Sequence, residues 1–392
     1  TQSRSSAASD VYKRQVQEDR RYYGKRVQRT LWEVSVVTAK SFRRYHKGLA
    51  AVLLAVMLGA VCTGCGAKQA AESSEGGGRR ILVGFSMATL KEDRWLRDRD
   101  IFSAKAKQEG LDVMIANANN DTAVQREQVQ DMIRKKIDVL VIAPQDRDDA
   151  AACVQEAKKA GIPVIAYDRL VRNANVDVYV SFDTVRVGEL QAGSLVKAVP
   201  EGGYLLINGS KDDNNTSMSH DGCMSVLNGP IQAGKVQIVA ETWVEDWRRE
   251  GAYSFVSDQL RQHPDRIKAI IAGNDSLAWG AIDALSEAKL AKKVLVVGED
   301  ADLAACQRIV DGTQYLTVYK PIEKLVDQTV KTCKLLADGQ KLPYSRTISD
   351  GTYNIPYLMI DIVGVTKDNM DETVIQDGFQ LKEDVYRTPN VS

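Results

Sequence analysis

The chain has 392 residues, with Lys+Arg and Asp+Glu both at 52 and three histidines, His46, His220 and His263. That balance gives no overall field for nucleic acid, and three scattered histidines leave little for a histidine-rich metal site. A hydrophobic share of 44% and a charged share of 27% fit a globular protein long enough for one or two α/β domains.

The first 80 residues differ in kind from the rest. Ser5 to Gln15 reads as sequence foreign to the protein, and no Met precedes Met57, so residues 1–33 are expected to be a non-native leader. A basic stretch follows from Lys40 to Lys47, with Arg43 and Arg44 inside it, and then an apolar run from Leu49 to Val61. At about thirteen residues that run falls short of the roughly 20 that span a bilayer as a helix. Basic, apolar and small segments in that order predict an export signal over 34–64. Val61-Cys62-Thr63-Gly64-Cys65 resembles the bacterial lipoprotein cleavage box, although Cys62 departs from the usual Leu. The resemblance implies lipidation at Cys65 and a membrane anchor. Residues 65–80, rich in Ala, Ser, Glu and Gly, read as a flexible linker.

From Ile81 onward short β-branched or Leu-rich runs alternate with helical stretches. The first series of runs is Ile81–Met87, Leu111–Ala116, Asp138–Ala143, Ile162–Tyr167 and Val176–Phe182. Helices are expected between them at Trp95–Glu109, Thr122–Lys135 and Arg147–Ala160. A second series comprises Tyr204–Asn208, Val236–Ala240, Ala269–Ala272, Val294–Val297 and Tyr315–Val318. Its helices are expected at Ser217–Gln232, Arg248–Gln262, Ser276–Ala288 and Leu303–Asp311, with a late helix at Ile322–Leu336 and a strand at Tyr357–Val365. Continuous apolar runs fit strands buried on both faces, and this alternation predicts two mostly parallel sheets in two doubly wound lobes. Cys153, Cys223, Cys306 and Cys333 are widely spaced and read as buried thiols.

Parallel sheets place ligands at the carboxyl ends of their strands. Asp168, Asp183, Asn274, Asp300 and Lys320 all follow predicted strands directly or within three residues. Asp168, Asn274 and Asp300 could instead simply cap a following helix, and Asp213-Asn214-Asn215 could be a plain polar turn. No G-x-G-x-x-G follows a strand and no P-loop is present, so dinucleotide and phosphate-loop readings lack their motif.

Several ordered stretches carry a family resemblance. They are Leu90-Lys91-Glu92-Asp93-Arg94-Trp95 with Arg97-Asp98-Arg99-Asp100-Ile101-Phe102, Ala166-Tyr167-Asp168-Arg169, Ser181-Phe182-Asp183 and Asp213-Asn214-Asn215. Asn274-Asp275, Gly298-Glu299-Asp300-Ala301-Asp302-Leu303-Ala304 and Thr317-Val318-Tyr319-Lys320-Pro321 complete the set. Through them Ile81 to about Phe379 resembles the D-xylose-binding proteins of bacterial ABC transporters, within the ribose/galactose-binding superfamily. The resemblance implies a type I periplasmic-binding-protein fold with a three-segment hinge. Lobes are expected at 81–185 plus 321–357 and at 186–320 plus 358–385. The pocket residues it carries over are Arg94, Trp95, Asp168, Arg169, Asp213, Asn215, Trp247, Asn274, Asp300 and Lys320. It further implies an extracytoplasmic receptor that carries D-xylose or a related monosaccharide to an ABC permease, without catalysis, cofactor or metal.

Such a set suits a sugar independently of the resemblance. Carboxylates accept from neighbouring hydroxyls, Arg, Lys and Asn donate, and Trp95 and Trp247 can cover C–H faces. Ala88 and Thr89 stand where relatives carry acids, and His220 where they often carry Arg, which implies tuning of the site. Presentation of the sugar to a membrane sensor kinase or chemoreceptor would need the same pocket, and neighbouring genes distinguish the two roles. A sugar-modifying enzyme would need a positioned acid and base at a scissile bond, which the sequence does not separate from hydroxyl binders.

Overall fold

The computed structural model describes residues 80–387. The proposed leader, export signal, Cys65 and nearly all of the linker lie outside the described residues.

The described residues begin with β1 (Leu82–Met87), α1 (Asp93–Gln108), β2 (Asp112–Asn117), α2 (Thr122–Arg134), β3 (Val139–Ala143), α3 (Ala150–Lys159), β4 (Val164–Tyr167) and β5 (Val178–Phe182). After α4 (Thr184–Ala198) come β6 (Gly202–Asn208), α5 (Asn214–Gln232), β7 (Val236–Trp243), α6 (Arg249–Gln262), β8 (Ile267–Ala272) and α7 (Asp275–Glu287). Next are β9 (Leu295–Glu299), α8 (Leu303–Asp311), β10 (Leu316–Tyr319) and α9 (Ile322–Ala337), then β11 (Arg346–Ser349), β12 (Asn354–Ile360), β13 (Val363–Val365) and the short α10 (Lys382–Val385).

Two sheets result. One has seven strands in the order β11-β12-β5-β4-β3-β1-β2, the other six in the order β13-β10-β9-β8-β6-β7. Only β11 with β12 and β10 with β13 pair antiparallel; every other pair is parallel. All residues of β3, β4 and β5 are buried, because helices cover both faces. One face of the first sheet packs Val83, Phe85, Val139 and Val141 against Phe102 of α1 and Leu325, Val326 and Val330 of α9. The other face packs Leu140 and Ile142 against Val129 and Met132 of α2 and Val154 of α3. The second sheet is covered alike, by α6 and α7 on one side and α4 and α5 on the other. Among the described residues the four thiols, Cys153, Cys223, Cys306 and Cys333, are buried and unpaired.

Among the described residues the chain crosses between sheets three times: after β5, after β10, and after β12. The third crossing corrects an expectation. Tyr357–Ile360 pairs in parallel register with Tyr179–Phe182, so 358–360 belong to the first sheet and the chain crosses at Asp361–Ile362. The expected single strand Tyr357–Val365 is two strands in different sheets. Apolar residues run through the crossing with only Asp361 to interrupt them, and no Gly or Pro marks it before Gly364.

Helix starts explain why strand ends matter. The side chains of Asp121, Asp183, Asp213 and Asn274 each accept from a backbone N–H in the first turn of the next helix, satisfying otherwise orphaned donors.

Candidate functional site

The carboxyl ends of the two parallel sheets face one another across a cleft. All ten residues carried over from sequence line it: Arg94, Trp95, Asp168 and Arg169 from the first lobe, Asp213, Asn215, Trp247, Asn274 and Asp300 from the second, and Lys320 at the second crossing. The cleft holds about 650 Å³ of atom-free space, its mouth included, which is the size of a small-molecule site.

Arg94 and Trp95 open α1, and Arg94 organises the charges. Its Nη2 lies 3.2 Å from Asp98 Oδ2 and 2.9 Å from Asp168 Oδ2, and its Nη1 lies 3.9 Å from Asp300 Oδ1. Asp98 is fixed in turn by the hydroxyl of Tyr167, which donates to its Oδ1. Arg169 Nε reaches across the cleft to Asp213 Oδ2 at 2.7 Å. Lys320 Nζ sits between Glu299 Oε1, at 2.6 Å, and Asp300 Oδ1, at 2.8 Å. Charge pairing of this kind is what permits so many buried ions in one cleft.

Burial pushes the Asp168 carboxyl up, but Arg94, Lys320 and Arg169 outweigh it and hold the group below the usual carboxylate range. Asp213 goes the other way, because burial exceeds the pull of Arg169. Burial and Arg94 disfavour the Lys320 cation, yet Asp300, Glu299 and Asp168 keep its pKa raised. Asp168 and Lys320 are therefore ionised at neutral pH.

Two carboxylate oxygens have more to offer. Asp168 Oδ2 and Asp300 Oδ1 are buried and lie beside cations, but neither takes part in a well-aligned hydrogen bond. One belongs to each lobe. Both residues also carry left-handed backbone, with φ 62° at Asp168 and 102° at Asp300, a costly conformation outside glycine that concentrates at functional sites. The Asp168 carbonyl is held there by the hydroxyls of Tyr179 and Ser181, at 2.7 and 2.6 Å, and by Asn215 Nδ2 at 3.1 Å.

The indoles form the apolar walls. Trp95 lies under the guanidinium groups of Arg94 and Arg169, 4.2 and 5.2 Å from its ring centre. Trp247 follows β7 in a short turn and lies against Gly209 and Gly273, the residues just after β6 and β8. A Cβ at Gly209 would sit 2.2 Å from its ring, and one at Gly273 3.0 Å. Those two glycines make room for the indole. Asn274 both lines the cleft and caps α7, its Oδ1 accepting from Leu277 N at 2.9 Å, and Asp213 caps α5 in the same way. The cap and cleft readings of these residues therefore hold together. Glu92 and Glu299 also line the cleft. Sequence reasoning missed both, although each stands within two residues of a chosen neighbour, Arg94 and Asp300.

Two α/β lobes closing carboxyl ends on a charge-paired polar cavity define a solute-binding protein of the type I clamshell class. The chain belongs to the family described as periplasmic binding protein domain, whose model matches residues 83–341. It is 44% identical over 314 residues to the D-xylose-binding periplasmic protein of Haemophilus influenzae, covering 80% of this chain and 95% of that one. It is 39% identical to the D-xylose-binding periplasmic protein of Escherichia coli, covering 78% and 93%. Among solved structures, a carbohydrate transporter solute-binding protein of Chloroflexus aurantiacus in complex with D-glucose superposes with a TM-score of 0.74 at 30% identity, covering 78% of this chain and 98% of that one. This chain is a sugar-capturing solute-binding protein of the kind that serves ABC transport.

Proposed function

We propose that the sugar is D-xylose, held between the lobes by the ten cleft residues and delivered to an ABC permease from outside the cytoplasmic membrane, to which lipidated Cys65 anchors the protein. The observation that carries the ligand reading is the pair of buried carboxylate oxygens on Asp168 and Asp300, one per lobe and both without an aligned donor. A pyranose supplies hydroxyl donors on opposite edges and so bridges the two. Asn215, Asn274, Lys320 and Arg94 supply donors to the sugar oxygens, charge-assisted where the group is a cation, and Trp95 and Trp247 cover the ring faces. The identity to two D-xylose-binding relatives supports the choice of a pentose.

Calorimetry on refolded, sugar-free protein is the direct test. D-Xylose binds, and Asp168→Ala loses about 2 kcal/mol or more, as truncation of one partner in a buried charged pair does. No binding at about 1 mM, a level that detects even weak complexes, overturns the assignment. Fractionation of cells tests the anchor: Cys65→Ala releases the protein from membranes, and its retention there overturns lipidation.

A further inference from the structure

Five carboxyl groups line the cleft, Glu92, Asp168, Asp213, Glu299 and Asp300, against three cations, Arg94, Arg169 and Lys320. Arg94 is engaged with Asp168 at 2.9 Å, Arg169 with Asp213 at 2.7 Å, and Lys320 with Glu299 and Asp300 at 2.6 and 2.8 Å. Among the described residues that leaves Glu92 as the lining carboxyl held by no ion pair. Nor does Glu92 serve its helix. It stands at the N-cap of α1, yet its side chain makes no bond to the first turn, as an N-cap side chain usually does.

Glu92 turns instead into a small chamber beside the main cleft, with Asn120, Gln145 and Arg169 of the first lobe and Asp246 and Trp247 of the second. Both lobes wall it, so the chamber exists only when they are together. Two acceptors are stranded there: Glu92 Oε2 and Gln145 Oε1 are buried without a hydrogen-bond partner. Trp247 Nε1, a donor stranded beside them, can serve a single acceptor. The charges that face Glu92 leave it short of a partner. Arg169 is committed to Asp213, and Arg94 to Asp98 and Asp168. Asp246 brings a second carboxylate, matched by Lys91 at 3.6 Å, and Asn120 brings no charge. Burial pushes the Glu92 carboxyl up against the pull of Arg169, its own backbone N–H and Arg94, and Asp300 adds to the rise.

We propose that Glu92 is a proton site completed by closure of the lobes, so that capture of a neutral sugar takes up a proton from solution. The inference rests on the sugar-binding reading of the main cleft. In the open form the Glu92 carboxylate faces water and keeps its charge. In the closed form an unpaired buried carboxylate is costly. A proton on Oε2 removes the charge and turns one stranded acceptor into a donor for the other, Gln145 Oε1, which faces the same chamber. The sign of the linkage follows. Below the open-form pKa both forms carry the proton, and above the closed-form pKa neither does. Between the two, closure binds a proton, so sugar affinity falls as pH rises, by at most about ten-fold per pH unit.

Calorimetry of D-xylose binding to the sugar-free full chain, repeated in buffers of different ionisation enthalpy from about pH 5 to about pH 8, reads affinity and protons taken up together. Wild-type affinity falls at least about three-fold across that range, with net proton uptake within it. Asp213 and Glu299, also buried, can add to that uptake, so the comparison with Glu92→Gln isolates this site. The amide is neutral without a proton and donates to Gln145 by itself. Glu92→Gln therefore takes up fewer protons and binds D-xylose at least about three-fold more tightly than wild type near pH 8. Glu92→Ala, which removes the carboxyl and needs no new bond, lowers the uptake likewise. Equal uptake in wild type and both variants, the result if a neutral water donates to Glu92 and Gln145, overturns the proton site and leaves the pentose reading standing. Wild-type affinity that rises with pH does the same. No binding of D-xylose at any of these pH values overturns both.

Discussion

Asp168 and Asp300 occupy matching stations in the two sheets. Each is the first residue after its strand, each donates its backbone N–H to the next strand, at Val180 and Val318, and each has a left-handed φ. The price of this arrangement is a cluster of buried acids behind the site. Burial pushes Glu299 up to about 7 despite Lys320, with Asp300 adding to the rise. Asp275 is pushed up to about 7 by burial despite Arg308. Between each group's ordinary value and about 7 the folded protein holds a proton that the unfolded chain has released, so folding stability falls as pH rises through that window. One fully realised shift of Glu299 amounts to on the order of 3 kcal/mol. Asp168, whose value is lowered, acts only at the acid side of that window. Thermal unfolding of sugar-free protein is therefore expected at higher temperature near pH 5 than near pH 8, and Glu299→Gln flattens the difference. A melting temperature that rises from pH 5 to 8 contradicts this account. The strand-end rule could single out Asp300 from sequence, but a carboxylate such as Glu299, still within its strand, carries no mark that it turns into the cleft.

The helices that hold these side chains are spaced by glycine. A Cβ at Gly188 of α4 would lie 1.9 Å from the carbonyl oxygen of Ser219 on α5, and one at Gly222 of α5 would lie 2.0 Å from that of Val185. In both places the obstacle is backbone, which cannot swing aside. Gly280 of α7 meets Arg249 O of α6 in the same way, at 2.2 Å. The α4–α5 contact fixes where α5 begins, and α5 begins with Asp213 and Asn215 in the cleft. Gly222→Ala is expected to destabilise the fold by about 1–3 kcal/mol, the usual cost of overpacking, which a lowered melting temperature would register; an unchanged one would mean the helices part without strain. Apolar runs made the strands legible because β3, β4 and β5 are buried on both faces. The start of α5 was less legible: helix was expected from Ser217, but Asp213 caps it and Asn214 and Asn215 form its first turn. A polar tripeptide looks like a turn until its cap bond is seen. The short edge strand β11, with Arg346, Thr347 and Ser349 exposed, has no apolar pattern to read.

Closure draws these parts together. Arg169 pairs with Asp213 across the cleft at 2.7 Å, Arg147 Nη1 donates to Ser217 Oγ at 3.1 Å, and Asn215 Nδ2 donates to the Asp168 carbonyl. Bringing Arg169 and Asp213 together strips water from both, a cost that their mutual attraction offsets only in part. A ligand tips the balance by adding bonds to Asp168 on one lobe and Asp300 on the other that no open form can make together, which is the differential affinity that population shift requires. The crossings at Asp183, Lys320–Pro321 and Asp361–Ile362 are the short segments able to absorb such a motion. Lys320 sits on one of them and pairs with Glu299 and Asp300, so the hinge and the site share a residue. Small-angle scattering of sugar-free protein is expected to show a larger radius of gyration that contracts as D-xylose is added. Asp213→Ala leaves Arg169 buried without its partner, at a cost of about 2 kcal/mol or more, so half-contraction should need about thirty-fold more sugar. Contraction at the same sugar concentration in both proteins would mean that the Arg169–Asp213 bridge takes no part in closing the lobes.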